Sequence, residues 1–332
     1  MENPLRCAVF LPAATAVFSV ASWAQPGWFI EIPYGEGNTL HAVATRDAQT
    51  AIAVGVAGTI LRTDDGGQTW ISQDSGTKRG LNGVFITDTV TATAVGNDGT
   101  ILRTTDGGAT WNSTVSGTAT DLYSILYVDS MNGTAVGGTP LFASPATGAI
   151  LHTTDGGESW TVGSSLGMTF RGVAYSDPND GVIVGSLDAG YLCPCTLAMQ
   201  TTDGGLTWVP RHQGGSSTEV LDSVSYADAD HVVAVGGYRL GARIVRSTDG
   251  GATWTEQMLE NTFLSAVSFA DPEVGFAVGS AIQRTTDSGA TWQRQTPPSG
   301  TVPLLGVSFV DALNGIAVGA AGLIIGTSTG GE

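Results

Sequence analysis

The chain has 332 residues and a formal net charge of −17, with 13 Lys and Arg against 30 Asp and Glu. That balance excludes nucleic acid and anionic lipid as electrostatic partners, because both require a basic face. Charged residues make up only 13% of the chain, Gly numbers 47, and no long 3.6-residue apolar period occurs, so strands and tight turns are expected.

Residues 1–24 read as an export signal. Arg6 precedes an apolar stretch over 7–20, and the small residues Ser22 and Ala24 flank Trp23 at a plausible cleavage point. Pro12 interrupts the stretch, so a permanent membrane anchor is not expected. Cleavage leaves the charge at −17, since Arg6 and Glu2 cancel. The remainder, 25–332, is expected to be one domain.

That domain is a repeat. Six copies close on the box Ser/Thr-x-Asp-x-Gly-x-Thr/Ser-Trp, carrying Asp65 with Trp70, Asp106 with Trp111, Asp155 with Trp160, Asp203 with Trp208, Asp249 with Trp254, and Asp287 with Trp292. The box aspartates stand 41, 49, 48, 46 and 38 residues apart. A strand-rich period near 40 indicates a β-propeller with one four-stranded blade per copy. A seventh copy starts at Thr327, has Thr329 in place of the Asp, and stops at Glu332 before its Trp. Trp28 is left to complete it. The expected fold is therefore an all-β, seven-bladed propeller closed by the N-terminal strand, with 28–32 as fourth strand of the last blade.

Within each copy an apolar strand comes first (81–86 and 304–310, for example), followed by a turn and a second strand ending in Val-Gly. A third strand such as 100–103 leads into the box, and the fourth starts at the Trp. The box reads as a stiff hairpin loop whose Asp accepts backbone N–H bonds and whose Trp covers apolar surface. Its residues are assigned a structural role.

Two places could carry binding. Three residues before the box Asp stand Arg62, Arg103, Arg246 and Arg284, with His152, Gln200 and Gly326 in the other copies. These arginines either brace the neighbouring blade through a carboxylate or form an exposed arc for a partner's carboxylates. On the opposite face, long loops in blades three to five carry Phe142, Tyr191, Leu192, Tyr238 and Arg239. Loops on a rigid scaffold are where recognition concentrates.

Catalytic signals are thin. A glycoside hydrolase needs two opposed carboxylates, and Asp188 and Glu219 are the acids to test. His41, His152, His212 and His231 show no metal or triad spacing, so no metal or cofactor is expected. Cys7 leaves with the signal, and Cys193 and Cys195 form either a strained loop disulfide or two free thiols.

The stretch 99–111, Gly-Thr-Ile-Leu-Arg-Thr-Thr-Asp-Gly-Gly-Ala-Thr-Trp, preceded by Ala94-Val95-Gly96, closely resembles the repeat of the photosystem II assembly/stability factors. The resemblance extends over 28–332. It implies an exported, non-enzymatic propeller with Asp-box (BNR-type) repeats that holds a membrane-complex subunit during assembly, with Arg62, Arg103, Arg246 and Arg284 at the contact. His152, Gln200 and Gly326 depart from that pattern. The expected function is a non-catalytic protein- or polysaccharide-binding scaffold, monomeric and not inserted in the membrane. Its expected place is the periplasm or extracellular space, or the thylakoid lumen in a photosynthetic source. The alternative is a divergent sialidase-like or other carbohydrate-active propeller.

Overall fold

The computed structural model describes residues 27–32, 37–139, 147–163, 168–188, 194–214, 219–237, 241–301 and 303–332. Residues 1–24, Phe142, Tyr191, Leu192, Cys193, Tyr238 and Arg239 lie outside these. The described residues form seven four-stranded antiparallel sheets. Blade one is Leu40–Thr45, Ala51–Gly55, Ile60–Thr63 and Ile71–Gln73, and the next five blades follow the same order. Blade seven is Leu304–Phe309, Gly315–Gly319 and Ile324–Thr327, with Trp28–Ile32 as its fourth strand. The opening strands neighbour one another in sequence, and that of blade seven returns to Leu40–Thr45, closing a ring around a central channel.

Solvent exposure follows strand order. The second strands, Ala51–Gly55, Ala92–Gly96, Val232–Gly236 and Gly275–Gly279 among them, are buried at every residue. Each lies between two neighbouring blades, so it reads as a continuous apolar run rather than an alternating one. The outermost strands, such as Ile71–Gln73 and Asn112–Thr114, are mostly exposed. The core is a set of inter-blade seams: Ile52, Val54 and Ile60 of blade one pack on Leu81, Val84 and Trp111 of blade two. The fourth strand begins one residue after the Trp in the first six blades, since the Trp itself is drawn into the seam beside its box.

Ring closure uses the same seam. Trp28 pairs with Thr327, Phe29 with Gly326 and Ile30 with Ile325. The Trp28 indole is 7% exposed and meets Phe276 and Phe309 edge-on, with centroids 6.0 and 5.7 Å away. Thr329 does not leave the seventh loop without a tie. Its hydroxyl accepts from the Gly27 N–H at 3.0 Å and donates to the Glu332 carbonyl at 2.9 Å, tying the start of the closing strand to the last residue.

One device recurs in every blade. The opening strand carries a register shift immediately after its first residues, at His41 in blade one and Asn82 in blade two, for example. The residue opposite is the Gly of the Val-Gly pair. A Cβ on Gly55 would stand 2.1 Å from the Thr39 carbonyl and 2.8 Å from the Leu40 Cα, so only glycine fits where the bulged backbone presses down.

Candidate functional site

The box loops are built alike. In blade two, Asp106 Oδ1 accepts the Thr110 N–H at 2.9 Å and the Thr104 hydroxyl at 2.8 Å, and Oδ2 accepts the Thr110 hydroxyl at 2.6 Å. Thr104 Oγ1 in turn accepts the Gly108 N–H at 2.9 Å. The same bonds surround Asp65, Asp155, Asp203, Asp249 and Asp287. The Thr110 hydroxyl, then its amide, hold the Asp106 carboxyl down at about 2, and Thr207 does the same for Asp203. A carboxylate so held is a poor proton acceptor near neutral pH.

The slot three residues before each box Asp is a stitch to the next blade. Arg103 Nε donates to the Gly156 carbonyl of the third box at 2.8 Å, and Arg246 Nε to the Ser288 carbonyl of the sixth at 2.7 Å. Gln200 reaches the Gly250 carbonyl of the fifth at 2.9 Å. The brace therefore runs mainly to backbone carbonyls rather than to carboxylates. Arg284 pairs with the Glu332 carboxylate, and Arg62, 8% exposed, is held by Asp64 of its own box at 2.6 Å and reaches the Thr89 carbonyl at 3.3 Å. Arg103, Arg246 and Arg284 are half-buried, each keeping part of the side chain in solvent.

In the seventh copy the slot is Gly326, and the structure gives the reason. Glu31, on the closing strand, fills that space: a Cβ on Gly326 would stand 2.1 Å from Glu31 Oε1. Glu31 Oε2 accepts the Trp70 indole N–H at 3.0 Å. Gln73 serves Trp111 in the same way at 3.0 Å. Burial pushes the Glu31 carboxyl up to about 7.

Glu219 is fully buried and bound by Arg243, which also pairs with Glu256. Asp188 ends the strand Gly181–Asp188, with its backbone opposite Pro194. Glu219 is thus committed to an ion pair within the blade-five framework.

A second site was not anticipated from sequence. The bulges turn one residue per blade into the central channel, whose volume is 450 Å³. Six are polar (His41, Asn82, Tyr123, Arg171, Asp222, Ser265), and blade seven supplies Leu305. His41 Nδ1 lies 3.0 Å from the Leu81 carbonyl and 3.1 Å from Asn82 Oδ1, while the Asn82 amide donates to Asn97 and to the Leu122 carbonyl. The Arg171 guanidinium lies over the Tyr123 ring, 4.2 Å from its centroid. Burial pushes the Asp222 carboxyl up to about 6, with the Arg171 charge opposing the shift. A sequence signal did exist: the residue following the first Leu or Phe of each opening strand changes type in every copy, while its neighbours repeat.

The geometry defines a seven-bladed β-propeller. No family model and no curated protein matches the chain. Among solved structures it is similar to one described as YCF48 bound to D1 peptide, at TM-score 0.69 and 19% identity over 94% of this chain and 100% of that one. YCF48 from Cyanidioschyzon merolae matches at TM-score 0.68 and 19% identity, over 91% and 98%. The GH74 xyloglucanase from Xanthomonas campestris matches at TM-score 0.67 and 13% identity, over 92% of this chain and 54% of the enzyme.

Proposed function

We propose that this chain is an exported, monomeric, non-catalytic propeller that binds a carboxylate-bearing segment of another protein, in the manner of an assembly factor. The observation that carries the proposal is the anchoring of Arg103 and Arg246. Each is pinned through Nε to the next blade's box carbonyl and is half-buried, so its guanidinium is held in place before a partner arrives. A pre-set planar fork suits bidentate carboxylate recognition and loses little entropy on binding. The fold shared with the peptide-bound YCF48 structure supports a protein partner. The loops containing Phe142, Tyr191, Tyr238 and Arg239 are proposed as a second contact region on the opposite face. The compartment is the periplasm or extracellular space, or the thylakoid lumen where the source is photosynthetic.

The test is a peptide array covering exposed segments of the source organism's exported and membrane proteins. Binding is expected to weaken with salt and to be lost in Arg103→Ala/Arg246→Ala, with the circular dichroism spectrum of the fold retained. Retained binding in a folded double variant overturns the assignment. The GH74 similarity keeps one rival reading specific: turnover of xyloglucan or a sialoside, abolished by Asp188→Asn, replaces the scaffold with an enzyme.

A further inference from the structure

The channel ring divides into two arcs of different chemistry. In one, His41 and Asn82 are spent on each other and on backbone carbonyls of the neighbouring blades. In the other, Arg171 and Asp222 stand on adjacent blades with opposite charge, yet no ion pair within 4.0 Å joins them among the described residues. Arg171 lies over Tyr123 instead, and its Nε is buried without a hydrogen-bond partner. A buried donor left open in this way costs stability unless something occupies it. Asp222 is similarly short of compensation, since the Arg171 charge does not offset its desolvation.

We infer that the channel binds an α-amino acid zwitterion, its carboxylate on Arg171 and its ammonium group on Asp222. An anion alone would satisfy Arg171 but sit beside the Asp222 carboxylate, and a cation alone would reverse the conflict. A molecule carrying both charges two bonds apart meets both walls, with the Ser265 hydroxyl beside the Asp222 blade. Leu305, on blade seven, stands across the seven-membered ring from the blades of Tyr123 and Arg171, so an apolar side chain is favoured over a charged one. The 450 Å³ channel has room for such a ligand. This site lies apart from the arginine slot, and either can fail without the other.

Isothermal titration of the purified chain with L-leucine, L-aspartate, leucinamide and 4-methylpentanoate tests it directly. Leucine is expected to bind, and each of the other three to bind about tenfold or more weakly, because each lacks one charge or carries a surplus one. Arg171→Gln and Asp222→Asn are expected to lose leucine binding by a similar factor. No heat from leucine, or equal affinity for 4-methylpentanoate, overturns the proposal, as does leucine binding unchanged in either folded variant. If the two variants do not fold, the wild-type series decides alone.

Discussion

Trp70 of blade one donates its indole N–H to Glu31, which belongs to blade seven, at 3.0 Å across the seam where the chain closes on itself. Blade two satisfies its Trp111 with the neutral amide of Gln73. The ring therefore uses a carboxyl group where the strand that completes blade seven leads into blade one.

The Glu31 carboxyl is pushed by burial from 4.5 to about 7. Below pH 4.5 it is protonated in both folded and unfolded chains, and contributes no penalty. Between 4.5 and about 7 the unfolded chain ionises while the folded one keeps its proton, so stability falls as pH rises, and the full penalty holds above 7. Glu31→Gln is expected to be neutral near pH 4 and to stabilise by about 3 kcal/mol at pH 8. Urea unfolding of both proteins across this range checks it, and parallel profiles would show that Glu31 is not the cause.

Gly326 leaves the space that Glu31 occupies. Gly326→Ala is expected to cost about 1–3 kcal/mol through overpacking. In a Glu31→Ala background the cost should fall by at least half, a coupling that a double-mutant cycle measures.

Trp28 wedges edge-on against Phe276 and Phe309 while holding the last strand to the third. Trp28→Ala is expected to cost about 3–5 kcal/mol, as removal of a buried aromatic does. Trp254→Ala should cost less, because Trp254 is only half-buried and its blade is held by unbroken chain. Thermal unfolding of the two variants side by side distinguishes ring closure from ordinary packing.

Arg103 and Arg246 stitch different pairs of blades. Each Ala substitution is expected to lose about 1–2 kcal/mol, the worth of a charge-assisted bond to a carbonyl. Since the sites share no partner, the losses should add in the double variant. Markedly more than the sum, by denaturant titration, would mean the stitches act as one network.

The ring, its seven blades and the pairing of Trp28 with the last copy were legible because each rests on residues that repeat in the sequence. The slot arginines were visible as a pattern, but their acceptors were not. Gly156 and Ser288 are met through backbone carbonyls, and a carbonyl has no residue-type signature. The channel residues were hidden for a different reason. Tyr123 and Arg171 sit at positions that simple alternation would assign by parity, and only the register shift opposite Gly137 and Gly185 turns them inward. Glu31 stands outside the repeating positions, and its role depends on Gly326, far away in sequence.

The bulges separate two kinds of change in this molecule. A glycine on the second strand makes room for each kink, and the apolar seams lie elsewhere, so substituting the inward-pointing tip leaves the apolar packing between blades largely untouched. What the bore accepts can thus drift codon by codon while the wheel keeps turning out the same shape, which makes these positions a natural library for redesign.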